Sequence, residues 1–235
     1  MGACTGTACG TSSILISIIQ FVLGAIVAIA TSVWIENLRK PKLTLSILPP
    51  SDAHYTNRPA TDARFLAVNL LNKPLPPIAR WMSRTAALQC HGSITFHHLN
   101  DGQNIFGSAM PIRWAGQPEP VPILFSIGNQ HVSIADPTRF SLNPRVDVYP
   151  GEGEALNIAA KFDSEVECYG WSNENYFSNP IWRHPNWKLS SGRYLVRVTV
   201  LSAGQNCTGV FRLIADVPRG NFRLEDARPE DRVYG

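Results

Sequence analysis

The sequence lacks the short motifs that mark the common enzyme classes. Its 235 residues contain no G-x-S-x-G nucleophile elbow, no Walker phosphate loop, no H-E-x-x-H zinc motif and no C-x-x-C pair. The six histidines show no paired Cys/His spacing, and His91 and His97 would be about 20 Å apart on one strand. We therefore predict that the protein is not an enzyme and has no catalytic residue, metal site or cofactor.

Cysteine is scarce, and the number of cysteines is odd. Five cysteines in 235 residues are too few for a disulfide framework. We expect the three cysteines of the main domain to be small buried hydrophobic side chains. A disulfide from Cys90 or Cys168 to Cys207 is the alternative if the domain lies in an oxidising compartment. The five are Cys4, Cys9, Cys90, Cys168 and Cys207.

Charged residues are also few, at 17% of the chain against the usual quarter. The net charge is +3, and the segment from Glu36 to Lys42 contributes +2 of it through Arg39, Lys40 and Lys42. The rest of the chain therefore carries a net charge of only +1, with both signs interspersed. Because nucleic-acid binding depends on a basic surface, we expect no nucleic-acid partner.

One long apolar run is present despite these deficits. Residues 14–34, ILISIIQFVLGAIVAIATSVW, contain no charge, and a helix needs roughly 20 such residues to cross a bilayer core. The preceding tail, residues 1–13, is uncharged, whereas a cleaved signal peptide begins with positive charge. We predict a single-pass transmembrane helix over 14–34 that serves as a signal-anchor. Cleavage at the A-x-A sequence of Ala28 and Ala30 is the alternative.

The basic residues that follow this run predict its direction. Arg39, Lys40 and Lys42 lie in a juxtamembrane linker, residues 35–42, and no Lys or Arg precedes the run. The positive-inside rule then places the short N-terminal tail outside and the C-terminal domain in the cytoplasm of a cell-membrane protein. Trp34 is expected at the headgroup level.

Four small or polar residues recur every four positions along the predicted helix and so share one face. Small residues at this spacing allow two helices to approach closely, and a glutamine can hydrogen-bond across the pair. We predict that this face supports self-association into a homo-oligomer. The alternative is an ordinary span, in which Gly, Ala and Ser are common. The four residues are Gln20, Gly24, Ala28 and Ser32.

Residues 43–217 alternate between apolar and polar side chains in short runs, and this pattern predicts a β-sandwich domain. The 18 prolines of the chain fall mostly between these runs, where they suit turns. Roughly seven to nine short strands without a useful amphipathic helix are typical of a mainly β, antiparallel sandwich. The charged stretch 218–235 is expected to be a polar C-terminal tail.

Two of the runs predict which side chains share a buried face. In a strand, every second side chain points to the same side of the sheet. The inward residues are expected to be Leu88, Cys90, Ile94 and Phe96 in the first run, and Leu156, Ile158, Ala160 and Phe162 in the second.

The run Leu189-x-x-Gly192-x-Tyr194-x-Val196-x-Val198 resembles the penultimate strand of immunoglobulin-like and fibronectin-III-like domains. The resemblance covers about a dozen residues. It implies an Ig-like sandwich in which the hydroxyl of Tyr194 bonds back to the preceding loop. The Cys-Trp-Cys spacing of antibody domains is missing, since position 196 is Val, and such a fold says little about function.

An aromatic stretch, residues 168–187, is the most unusual part of the domain. Four of its rings lie among Asn, Ser, Arg and His, a combination that suits recognition of a sugar or a protein. We predict that these rings bind a ligand or partner. The alternative is that they cover one end of the sandwich. The four are Trp171, Tyr176, Trp182 and Trp187.

Anchor, strands and missing motifs together favour a single-pass membrane-anchored β-sandwich that acts as a binding or scaffolding module for a protein partner. An extracytoplasmic domain that binds carbohydrate or protein through residues 168–187 is the first alternative. An oligomeric membrane effector, which would rely on the helix face of Gln20 and Gly24, is the second.

Overall fold

The chain consists of two compact units, each built from more than one segment. A computed structural model describes residues 8–55, 61–79, 81–100, 102–119, 123–127, 130–134, 144–163, 165–178 and 180–234. The first unit joins Met1–Lys40 to Leu75–Thr85, and the second joins Pro41–Pro74 to Ala86–Gly235. The sequence Asn100-Asp101-Gly102 predicts a turn, of which Asp101 lies outside the described residues.

The first unit contains one long helix, α1, from Ala8 to Arg39. Every side chain from residue 16 to residue 34 is exposed. The stretch Ile16–Arg39 is long and apolar enough to cross a membrane, so the prediction of an N-terminal helix with these properties is confirmed. The helix continues five residues beyond Trp34, into the expected linker, because Ile35–Arg39 contains neither Gly nor Pro to end it.

The loop Leu75–Thr85 closes onto the end of this helix. The backbone N–H and the hydroxyl of Thr85 both donate to the Arg39 carbonyl, at 2.7 and 2.8 Å. Nη1 of Arg84 donates to the Lys40 carbonyl at 2.6 Å. The last carbonyls of a helix have no partner within it, and a cation there complements the helix dipole. The loop therefore caps the helix end.

The second unit is built from antiparallel strands. In chain order they are β1 (Leu43–Ile47), β2 (Ser51–Tyr55), β3 (Thr61–Asn72), β4 (Ala87–His98), β5 (Met110–Pro111), β6 (Arg113–Trp114), β7 (Ile123–Ile127), β8 (Gln130–Ile134), β9 (Val146–Val148), β10 (Gly153–Phe162), β11 (Cys168–Gly170), β12 (Lys188–Leu189), β13 (Arg193–Ser202), β14 (Gln205–Ile214) and β15 (Arg223–Asp226).

These strands form two main sheets and a separate hairpin of β7 and β8. The first sheet has the order β1-β3-β10-β11-β12, with β2 also beside β3 and β6 also beside β10. The second has the order β15-β14-β13-β4-β5, with β9 also beside β4. Pro49 and Pro50 separate β1 from β2, which pair with different halves of β3. Proline supplies no N–H to a sheet ladder, so the edge strand is interrupted there.

Side chains from both sheets form one buried inner core. Alternate residues of β3 meet alternate residues of β4 and β13 there, including Leu66, Val68, Leu70, Ile94, Phe96, Val196 and Val198. The hydroxyl of Tyr194 donates to the Ser190 carbonyl at 2.8 Å, which confirms the predicted bond to the preceding loop. The prediction of a mainly β fold with two antiparallel sheets after one N-terminal helix is also confirmed.

Leu88 is not part of the inward face predicted for β4. Cys90, Ile94 and Phe96 are buried as expected, but Leu88 is 47% exposed. The pairing of β4 with β9 shifts between Ala87 and Cys90, and Gln89 has a φ of 53°. Such a bulge reverses the alternation of side chains, so Leu88 turns outwards.

A second bulge divides the face predicted for β10. Asn157 pairs with Ala67 and Ala159 pairs with Leu66, so Ile158 is an extra residue without a partner in β3. Leu156, Ile158 and Ala159 consequently join the inner core, whereas Ala160 and Phe162 belong to a different cluster. The four residues predicted for one face therefore lie on two, because the bulge shifts the period-two pattern by one residue.

The C-terminal stretch 218–235 differs from the expected polar tail. Within it, β15 pairs with β14, and Phe222 and Leu224 are buried in the inner core. The carboxylate of Asp231 is buried and accepts two bonds from the guanidinium of Arg212, at 2.5 and 2.6 Å. Two apolar side chains, strand pairing and ion pairs that include those of Arg212 and Arg219 thus attach this charge-rich segment to the domain.

The ion pair of Arg212 and Asp231 predicts acid sensitivity. The hydrogen bonds from Arg212 hold the pKa of Asp231 below its usual 3.8. A carboxyl whose pKa is lower in the folded state stabilises the fold above its usual pKa, and this contribution disappears as pH falls through the lower value. We expect Asp231→Asn to make the thermal unfolding midpoint less dependent on pH between about pH 5 and about pH 2.

Asp216→Asn is the matched control. Asp216 pairs with Arg193 at 2.9 Å in a more exposed position, where an ion pair contributes little. Its removal should leave the pH dependence close to that of the unaltered protein. An unchanged acid slope in Asp231→Asn would contradict the proposed role of the Arg212 pair.

Candidate functional site

The aromatic segment 168–187 folds over the outer face of the first sheet. Its rings join side chains from β3 and β10 in a second buried group, here called the outer cluster. The outer cluster consists of Ala63, Ala160, Phe162, Tyr169, Trp171, Tyr176 and Trp182, with Phe65 and Ile181 partly buried against it. Ala160 pairs with Phe65 and Phe162 with Ala63 across the sheet, so these four share the outer face.

The four rings predicted to bind a ligand are all buried. The exposed fractions are 1% for Trp171, 5% for Tyr176, 1% for Trp182 and 6% for Trp187. The first three meet in the outer cluster, whereas Trp187 packs in the inner core with its ring centroid 5.2 Å from that of Phe106. The structure thus places these rings where the covering role requires them, and their role in binding stays a prediction.

Hydrogen bonds around Asn175 hold the covering segment in place. Its side-chain carbonyl accepts from the Ser172 N–H at 3.0 Å, and its amide donates to the Trp182 carbonyl at 3.1 Å. The Trp182 N–H donates back to the Asn175 carbonyl at 2.7 Å. Trp182 has a φ of 69°, a conformation that bulky residues rarely adopt. The bonds from Asn175 therefore fix a strained residue whose ring fills the outer cluster.

Two arginines lie over rings of this cluster. The Arg183 guanidinium is 4.3 Å from the centroid of Phe162 and pairs with Glu165 at 2.5 Å. Burial, with a further contribution from the Glu165 charge, raises the pKa of Tyr169 to about 12. The Arg113 guanidinium is 4.9 Å from the centroid of Tyr176. Cation–π contacts of this kind gain strength when desolvated.

A groove of about 350 Å³ lies on the same outer face, beside the outer cluster. Four alanines from different parts of the chain line it, namely Ala53, Ala67, Ala115 and Ala155. Small side chains leave space that larger ones would fill. Two predicted site residues, Trp171 and Tyr176, also line the groove, so the structure brings these two to the same concave surface.

Polar groups of Arg113, Gln117 and Asn157 also line the groove. Arg113 is only 3% exposed and donates to the side chain of Asn173 and to the Gln117 carbonyl, the latter at 2.9 Å. Asn157, which pairs with Arg113 across the strands, also lines the groove. Within the described part of the chain, Oε1 of Gln117 is buried without a hydrogen-bond partner. A partner that offers a donor there would satisfy this atom.

Sequence reasoning missed Arg113, Gln117 and Asn157. Arg113 lies in a two-residue strand, Asn157 lies beside a bulge and Gln117 lies in the turn after β6. No periodic pattern therefore indicates that these residues lie close together. One signal was present in β3, where two outward positions are alanines, Ala63 and Ala67. Small outward residues on a central strand indicate that something covers the sheet there or can bind to it.

The helix face predicted for self-association is accessible. Gln20, Gly24, Ala28 and Ser32 are all exposed on α1, and the space around a Cβ atom built at Gly24 is open. Every neighbouring side chain of the helix is exposed as well, so the geometry does not distinguish this face from the others. Self-association therefore stays a prediction.

Among the described residues, no group of three or more His, Cys, Asp or Glu side chains is arranged to hold a metal ion.

Comparison with known proteins adds no functional assignment. The chain matches no protein-family model, no curated protein and no solved structure. The function proposed below is therefore based on the geometry of the chain itself.

The packing of the outer cluster predicts a large effect of one substitution. Trp182→Ala should lower the free energy of unfolding by about 3–5 kcal/mol, because it removes a fully buried ring that stacks on Phe162. Phe177→Ala is the matched control, because this ring belongs to the same segment but is half-exposed. It should change stability by about 1 kcal/mol or less. Chemical denaturation measures both, and equal effects would contradict the covering role of Trp182.

Proposed function

We propose that the protein is a single-pass membrane-anchored binding module whose Ig-like sandwich docks a protein partner in the groove on the outer face of its first sheet. The observation that carries this proposal is the groove itself. Aromatic side chains, a buried arginine and a glutamine with an unsatisfied amide oxygen line it together with four alanines. Binding sites commonly combine apolar walls with a few convergent polar groups.

The size and lining of the groove favour a protein partner over an oligosaccharide. A volume of about 350 Å³ is at the lower end for ligand pockets and suits one or two side chains of a partner. Sugar-binding aromatic residues present ring faces to solvent, whereas Trp171 and Trp182 are each 1% exposed. An extended segment with a hydrogen-bond donor aimed at Gln117 would fit these groups.

The proposed orientation has the N-terminus outside and the sandwich in the cytoplasm. It depends on Arg39, Lys40 and Lys42, which follow the apolar stretch of α1, and on the absence of basic residues before it. In the first unit, Arg84 adds a further positive charge at the helix end, where it bonds to the Lys40 carbonyl. The bond between Tyr194 and Ser190 supports the description of the sandwich as Ig-like.

Cysteine labelling tests the orientation. We expect a membrane-impermeant maleimide to label Cys9 on intact cells, and to label an Ala203→Cys reporter only after permeabilisation. Ala203 lies in the exposed turn between β13 and β14. Burial raises the pKa of Cys90 to about 11 and that of Cys168 to about 12, so these two thiols lack the reactive thiolate at neutral pH.

The reporter at position 203 should be made in a Cys207→Ser background, because Cys207 is only partly buried. Labelling of position 203 on intact cells would overturn the cytoplasmic placement. That result would favour the extracytoplasmic alternative, in which a disulfide between domain cysteines becomes possible.

Filling the groove tests its role in binding. Ala115 is exposed and lines the groove, and a larger residue at this position keeps the backbone N–H that donates to the Ala155 carbonyl. We expect Ala115→Trp to reduce recovery of the partner by about tenfold or more in affinity purification from solubilised membranes, measured by quantitative mass spectrometry.

Leu201→Trp is the control for this substitution. Leu201 is an exposed residue of β13, in the second sheet, and does not line the groove. The partner should be retained by this variant and lost from Ala115→Trp while both keep the unfolding temperature of the unaltered protein. Equal recovery from both variants would contradict the assignment of the groove.

A further inference from the structure

Two large apolar side chains of the loop Leu75–Thr85 are almost fully exposed. Ile78 is 90% exposed and Trp81 is 75% exposed. Both values exceed that of any other large apolar residue described outside α1. Single exposed apolar residues are ordinary on a protein surface. Two such side chains, three positions apart on one short loop, are typical of a site that contacts an apolar or interfacial surface.

Two short backbone turns carry these two side chains. The loop contains a short 3₁₀ turn, Pro77–Ala79, closed by a bond from the Ala79 N–H to the Pro76 carbonyl at 2.9 Å. A second turn follows, with the Met82 N–H donating to the Ala79 carbonyl at 3.0 Å. Consecutive prolines restrict the entry to the first turn. Two hydrogen-bonded turns therefore carry Ile78 and Trp81.

The end of the helix fixes the position of the loop within the first unit. Thr85 donates twice to the Arg39 carbonyl, and Arg84 donates to the Lys40 carbonyl. Trp34, the last residue of the apolar stretch, is five residues before Arg39, or about 7.5 Å along the helix axis. Each headgroup layer of a bilayer is about 5–8 Å thick. A helix that fills the hydrocarbon core with residues 14–34 would thus hold the Arg84–Thr85 end of the loop at headgroup depth.

We propose that the loop Leu75–Thr85 is a second membrane contact, which inserts Trp81 and Ile78 into the lipid headgroup region beside α1. Tryptophan favours this region because its ring is apolar and its N–H can still bond to water or lipid. Arg39, Lys40 and Arg84 lie at the same end of the unit and complement the phosphates of anionic lipids. This inference rests on the proposed membrane anchoring, because the helix sets the depth of the loop.

Spin-label accessibility in liposomes tests the insertion. The full chain, with Cys4, Cys9 and Cys207 replaced by serine, is reconstituted in vesicles of phosphatidylcholine and phosphatidylglycerol. A nitroxide is placed in turn at Trp81→Cys, at Ile78→Cys, at Gly24→Cys within the helix and at Leu201→Cys on the sandwich. Power saturation then compares collision of each label with oxygen, which concentrates in lipid, and with a water-soluble nickel chelate.

We expect the labels at positions 81 and 78 to be severalfold less accessible to the nickel chelate than the label at position 201, and more accessible than the label at position 24. A lipid-embedded label at position 24 together with a fully water-accessible label at position 81 would overturn the inference and leave the anchoring intact. Labels at 78 and 81 shielded from both reagents would also overturn it, because a protein or a second copy would then cover them. A water-accessible label at position 24 would overturn the anchoring and the inference together.

Discussion

Strand β10 serves two cores because Ile158 has no partner in β3. Before this extra residue, Leu156 points to the inner core and Asn157 points to the outer face. After it, Ala159 is on the inner side and Phe162 on the outer side. The carbonyl of the inserted residue, Ile158, accepts a hydrogen bond from the Trp171 N–H at 2.9 Å. The bulge thus connects the strand to the aromatic segment that covers it.

The two halves of the outer face follow from this change of phase. Beyond the bulge, Phe162 is covered by Trp182, by Tyr169 and by the Arg183 guanidinium. Before it, the outward residues are Ala155 and Asn157, which are too small to support a cover and instead line the groove. The next inward position after Ala159 is Lys161, whose amine donates to the Val166 and Ala215 carbonyls at 3.0 and 2.9 Å. The same strand therefore supports a closed cluster at one end and a concave surface at the other.

Period-two alternation was sufficient to predict the antiparallel sheets, and charge-free length was sufficient to predict an apolar helix. Alternation did not predict the buried face correctly at Leu88 or at Phe162. Each lies near a bulge, whose extra residue is not indicated by the local composition. The rings of residues 168–187 posed a different difficulty, since a covering segment and a recognition surface have the same composition. Their burial depends on bonds such as those of Asn175 to Ser172 and Trp182, which join positions without any sequence period.

Folding brings a further basic residue, Arg84, to the end of α1. This residue is far from α1 along the chain, yet its guanidinium bonds to the carbonyl of Lys40. The positive-inside rule acts on residues close to the span during insertion, so Arg84 has no part in choosing the direction. In the folded protein it adds to Arg39 and Lys40 at one end of the helix. In the proposed membrane orientation, anionic lipids would attract each of these basic residues by about 1 kcal/mol. Residues 39–42 would therefore set the direction of insertion, and the capping loop would help to retain it.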